Sequence, residues 1–121
     1  MKIKTEDVCS AGLMTVCASF KKSGQAPENR QYTGVPFKRL AEYAGQPLSE
    51  ESVCVFKALD GFSIALAGEE AMDIEQCFIA VSEGGESLTL EDGRPYCMML
   101  MLKDTTSQRW CRYLDEVAVR E

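Results

Sequence analysis

The chain contains no histidine. This removes the usual general base of serine hydrolases, so Ser63 has no imidazole to activate it, and it removes the commonest nitrogen ligand for metals. A C-x-x-C pair is missing too, so no zinc site is expected, and no haem. Basic charge is scarce, with 13 Lys and Arg against 19 Asp and Glu, a net charge of −6. A phosphate-binding surface works by releasing counterions from a basic face, so a nucleic-acid partner is not expected, nor is attraction to an anionic membrane. No apolar run approaches the roughly eighteen residues of a membrane span, so membrane insertion is not expected either. Residues 1–7 lack the apolar centre of a secretory signal. As written the chain reads as cytoplasmic, or periplasmic or exported if a signal precedes it. Linkers, repeats and low-complexity segments are lacking as well, and 121 residues suit one compact core, so residues 1–121 are expected to form a single domain.

What is present is an average globular composition, 45% apolar and 26% charged, with six cysteines. Most of these, as in "SVCVF", "QCFIAV" and "YCMMLML", lie in apolar runs where a thiol behaves as a small buried hydrophobe. The core is therefore read as soft and Met-rich rather than cross-linked, with most thiols hidden from reagent.

Residues 12–20 are rich in strand formers, and residues 21–31 carry Gly, Pro, Asn and charge and read as a loop. In "QYTGVPFKRLAEYAG", Pro36 suits a first helical turn. Phe37, Leu40, Ala41 and Ala44 then share one face and Gly45 supplies the stop, which predicts a helix over about 36–44. "VCVFKAL" and "FSIALA" flank Asp60-Gly61, the signature of a hairpin with a tight two-residue turn. A short helical turn at 68–75, its early Glu69 and Glu70 suited to a helix start, precedes a strand in "CFIAVSE". A turn-rich connection leads to "YCMMLMLK", a continuous apolar strand covered on both faces, and "RWCRYLDEVAV" ends in a last strand. Strands outnumber the few short helices, so the fold class is α+β, a mixed-sheet or sandwich-like domain. Asp60 and Asp92 each precede glycine and read as turn formers. Glu50-Glu51 and Glu69-Glu70 read as solvated faces or helix starts, Trp110 as a half-buried packing residue, and the basic groups Lys21, Lys22, Arg30 and Arg109, Arg112 as surface charge.

Taken in order, "YTGVPFKRLAEYAG", "VCVFKALDGFSIAL" with "EEAMD", "FIAVSEGGESLTLEDGRPYCMMLML" and "RWCRYLDEVAV" resemble the molybdopterin-binding domain of the sulfite-oxidase-like oxidoreductases over roughly four-fifths of the chain. That resemblance implies the family's fold and a pyranopterin dithiolene whose molybdenum takes one protein thiolate, a soft ligand for that metal. "TVCASFKKSG" puts Cys17 at about the place of that ligand, with a buried strand cysteine as the alternative reading. Arg94, Arg109 and Arg112 fall at or beside the family's basic residues and would hold the pterin phosphate. The departures are an arginine replaced by Cys97 in "RPYCMM" and an asparagine lost in "SEGGES". With the lack of histidine and the acidic net charge, they lead to the expectation that molybdopterin is absent or substoichiometric. Three functions are carried forward. The first is a non-catalytic, cofactor-free binding module for a small ligand or protein partner, its family-equivalent surface filled by Tyr96, Met98 or Trp110. The second is a molybdopterin-dependent oxidoreductase with Cys17 as catalytic metal ligand. The third is a thiol-based redox protein using Cys17 near Lys21 and Lys22, or Cys111 between Arg109 and Arg112.

Overall fold

A computed structural model describes residues 1–20, 24, 26 and 28–120. Three short helices, α1 (Thr5–Ser10), α2 (Phe37–Tyr43) and α3 (Gly68–Ala71), accompany eight strands. These are β1 (Met14–Phe20), β2 (Glu28–Pro36), β3 (Val53–Ala58), β4 (Ser63–Ala67), β5 (Cys77–Glu83), β6 (Glu86–Ser87), β7 (Cys97–Met101) and β8 (Cys111–Arg120). The strands form one sheet in the order β1-β2-β5-β7-β8-β3-β4, with β6 beside the end of β5, and the named pairings are antiparallel. The domain is α+β, as its pattern of many short strands and few helices implies.

The two most apolar strands sit at the centre. Residues 97–101 of β7 and 77–81 of β5 are buried at every position, so both faces of the sheet are covered there. Helix α2 presents Phe37, Leu40 and Ala41 to this core, and the Phe37 ring meets that of Phe56 on β3 edge-on at 5.0 Å. Its end follows the sequence signal: Gly45 takes φ +74°, and the Gln46 amide reaches back to the Ala41 carbonyl at 2.8 Å.

Three expectations need correction. The loop over 21–31 is too long, because Glu28, Asn29, Arg30 and Gln31 already belong to β2, paired with β1 through Phe20↔Glu28 and Cys17↔Gln31. The polar start of β2 hid it: one face of this hairpin is open to solvent, so its residues carry little apolar alternation. Cross-strand polar contacts, such as Thr15 to Thr33 at 3.0 Å, serve there instead. Lys21, Lys22, Ser23, Gln25 and Pro27 from that loop lie outside the described residues. Helix α1 was not foreseen; it is 6 residues long with Val8 as its one buried side chain and has no side-chain N-cap. The β3–β4 hairpin is present, but Asp60-Gly61 belongs to a three-residue turn. Ala58 donates to the Phe62 carbonyl at 2.8 Å and Gly61 to Ala58 at 3.2 Å. Asp60 accepts from the Phe62 amide at 3.1 Å, and Gly61 takes the positive φ of +93° that closes such a loop.

One glycine sets how closely two strands approach. The β2–β5 register shifts between Thr33 and Gly34, and a Cβ on Gly34 would overlap the Ile79 carbonyl oxygen. No larger residue fits without parting the strands.

Candidate functional site

Beyond that bulge, β2 and β5 carry Tyr32 opposite Glu83. The Tyr32 hydroxyl donates to Glu83 Oε1 at 2.9 Å, and Arg30 Nη1 donates to the same oxygen at 3.0 Å. Arg30 also reaches Glu28 Oε2 through Nη2 at 2.7 Å. Burial and the Glu83 hydrogen bond push the Tyr32 phenol up to about 12, so it stays a neutral donor at physiological pH. Behind it Trp110 stands edge-on, ring centroids 5.8 Å apart at 86°. These side chains, with Leu88, Tyr96, Met98, Ser107 and Arg112, line a cleft of about 130 Å³. Arg112 is exposed, its guanidinium carbon 5.8 Å from the Tyr113 ring centre, and it makes no ion pair among the described residues. The cleft is thus aromatic and thioether-lined, with one uncommitted cation at its side.

Arg109, three positions earlier, is fully engaged. Its guanidinium grips Glu70 through Nη1 at 2.7 Å and Nη2 at 2.5 Å, and Asp104 through Nε and Nη2, both at 2.8 Å. Hydrogen bonds from Arg109 hold both carboxyls below the usual carboxylate range, and the two acids raise the guanidinium in turn. The buried amide of Gln76 bonds the same two acids, at 3.3 Å to Glu70 and 3.1 Å to Asp104. This cluster ties α3 to the segment between β7 and β8, and all three nitrogens of the guanidinium are held by the protein's own carboxylates.

The remaining expected site residues lie elsewhere. Arg94 sits in the turn after β6, closed onto Asp92 at 2.7 Å with both side chains exposed, beside Leu59, Asp60, Leu90 and Tyr113. Cys17 is exposed on β1, not buried. Its partner is Gln31, while Val16 is paired with Tyr32; side chains alternate along a strand, so Cys17 points to the sheet face opposite the Tyr32 cleft. Arg112 and Arg94 therefore line different cavities, and Cys17 and Arg109 line neither. The thiols of Cys54, Cys77, Cys97 and Cys111 are buried. Burial raises all four, Cys111 to about 11, which removes the depressed pKa that a reactive Cys111 would need.

Arg30, Tyr32 and Glu83 are site residues that the sequence reading misses. Their signal was available in the i, i+2 spacing of Arg30 and Tyr32, which places both on one face once residues 28–36 are read as a strand. Glu83 joins them only through the pairing of β2 with β5.

A pterin-bound molybdenum centre needs a thiolate and convergent donors for a phosphate. No cysteine lines the cleft, and one of its two guanidiniums is already committed to carboxylates. Among the described residues, no three His, Cys, Asp or Glu side chains come together as a metal site. The cleft does not fit a thiolate-ligated metal. No curated protein matches the chain. A family model does, over residues 4–121, and its description is the oxidoreductase molybdopterin binding domain. With nearly the whole chain matched and the α+β sheet in place, this protein belongs to the molybdopterin-binding oxidoreductase domain family.

Proposed function

We propose that this domain is a non-catalytic member of its family, a binding module that takes a small planar anionic ligand in the Arg30–Tyr32–Glu83–Arg112 cleft. The observation that carries this reading is the separation of Cys17 from that cleft, on the other face of the β1–β2 hairpin. Tyr32, Tyr96 and Trp110 offer aromatic walls and edges for a flat ring, and Arg112 offers a fork for an anionic group. The test uses pterin-6-carboxylate, a fluorescent bicyclic anion; the cleft of about 130 Å³ opens to solvent and takes one of its rings, the other standing at the mouth. Saturable binding that Arg112→Ala weakens tenfold or more, and that Cys17→Ser leaves unaltered, is the expected result. Failure to bind, or equal loss in the Cys17 variant, overturns the reading.

A second reading rests on the exposure of Cys17, which leaves its sulfur open to a metal carried in by a pterin. Protein made in a host that synthesises the cofactor decides between them. Molybdenum near one atom per chain, lost in Cys17→Ser, selects the oxidoreductase; far less than one selects the binding module.

A further inference from the structure

A larger cavity than the cleft adjoins it at Tyr96, bounded by residues 3–6, Leu59 of the β3–β4 turn, residues 95–97 and Leu114–Asp115; its volume is about 320 Å³. We propose that this cavity is a second binding site, for a small neutral aromatic molecule of one or two fused rings.

The cavity is built rather than left over beneath a loose end. The Met1 amine donates to the Val117 carbonyl at 2.9 Å, the Ile3 amide to Asp115 O at 2.9 Å, and Lys2 pairs with the Asp115 carboxylate at 2.9 Å. Residues 1–3 are thereby tied along β8 and hold that side of the cavity in place. Six of the ten lining residues are apolar, Ile3, Leu59, Pro95, Tyr96, Cys97 and Leu114, and the other four, Lys4, Thr5, Glu6 and Asp115, are polar or charged. Cys97 and Leu114 are buried, whereas Leu59 at the mouth is 54% exposed, one of the most exposed large apolar side chains described.

Two features select a neutral guest. The polar pair on the wall, Thr5 Oγ1 and Cys97 Sγ, satisfy each other at 3.6 Å. A ligand with a polar head turned inward would compete with that pair and lose its own hydration there. Burial raises the Cys97 thiol, so it remains uncharged. The ionic groups of the lining are Lys4, Glu6 and Asp115, and Asp115 is already paired with Lys2. Lys4 and Glu6 then offset one another, and no net charge draws an ion.

Two further features select a ring. Tyr96 forms one wall, its own ring tilted against Tyr113 at 4.9 Å, which fixes an aromatic edge or face for stacking. Size agrees, since a dry apolar cavity of roughly 150 Å³ holds benzene, and this one is about 320 Å³. The site is separate from the Arg112 cleft, sharing with it only Tyr96.

The probe for the test is 2-methoxynaphthalene, an uncharged fluorescent two-ring aromatic, titrated into the full chain. Saturable 1:1 binding is expected, with a Kd on the order of 50 µM for so few atoms, together with intermolecular nuclear Overhauser contacts to the Ile3 and Leu114 methyls. Leu59→Asp, a change at an exposed turn that leaves the fold intact by circular dichroism, is expected to weaken binding at least tenfold. The proposal is overturned if binding does not saturate, or if Arg112→Ala weakens it while Leu59→Asp does not, since that places the probe in the cleft.

Discussion

Two carboxylate–guanidinium networks in this molecule use the same residue types for opposite ends. In the Glu70–Arg109–Asp104 cluster every charged hydrogen bond closes on the protein, and it joins two places distant in sequence, α3 and the segment between β7 and β8. In the Arg30–Tyr32–Glu83 network, Arg30 is likewise held between carboxylates, Glu28 and Glu83, but the network lines a cleft beside Arg112, which makes no ion pair among the described residues. The difference teaches that an arginine in a family motif says little until its partners are known: Arg109 and Arg112 are three residues apart, and only the second has a fork to offer a ligand.

The comparison breaks at its root if β2 can no longer reach β5, because that approach places Tyr32 against Glu83. Gly34→Val forces a branched side chain into the Ile79 carbonyl, and the expected loss is about 3 kcal/mol or more. Chemical denaturation checks it, and an unchanged midpoint would show that the strands can part there at little cost.

Arg109→Ala tests the closed network. It leaves Glu70 and Asp104 facing each other without a cation, and a loss of about 2 kcal/mol is expected after allowing for partial exposure. Pterin-6-carboxylate affinity should not follow it. The acid limb gives the sign. Both carboxyls titrate lower in the folded chain than the ordinary 4.5 and 3.8, so the unfolded chain takes up protons first as the pH falls. The cluster's contribution is whole above those values and is lost as the pH drops through the lower folded ones. Wild type and Arg109→Ala should therefore differ more at pH 7 than at pH 3, and a constant difference would contradict the assignment.

The open network is expected to be worth less. Tyr32→Phe removes one hydrogen bond to Glu83 and should cost about 1 kcal/mol; a loss as large as that of Arg109→Ala would erase the distinction. Arg94→Ala removes an exposed pair within one turn and should leave the midpoint unchanged in the same denaturant series.

How much of this could be read in advance follows the chemistry of each segment. Strands β5 and β7 and helix α2 announced themselves because continuous apolar runs and an i, i+3, i+4 face are strong local signals, and Asp60-Gly61 marked its hairpin even though the turn is one residue longer. The first half of β2 did not, since Glu28, Asn29, Arg30 and Gln31 owe their strand form to β1 and not to their own apolar pattern. The cleft was less legible still. Its members come from β2, the end of β5, β7 and the start of β8, and only the sheet order brings them together. Cys17 was placed in the correct element, but whether a strand residue points to one face or the other depends on register, and register was not in the local sequence.

The strand order also governs when the molecule can be finished. Two hairpins, β1–β2 and β3–β4, close from neighbouring residues, but β3 has its second partner in β8, where Val53 meets Arg120, and Met1 is bonded to Val117. Residues 1–3 and β3 are thus both tied to β8. Such non-local topologies fold in milliseconds to seconds rather than microseconds. On a ribosome adding about 5–20 residues per second, the β3–β4 hairpin waits several seconds for β8 with one edge bare. During that interval the unpaired edge of β3 is exposed to edge-to-edge association and to chaperones, and in the finished sheet β8 covers it.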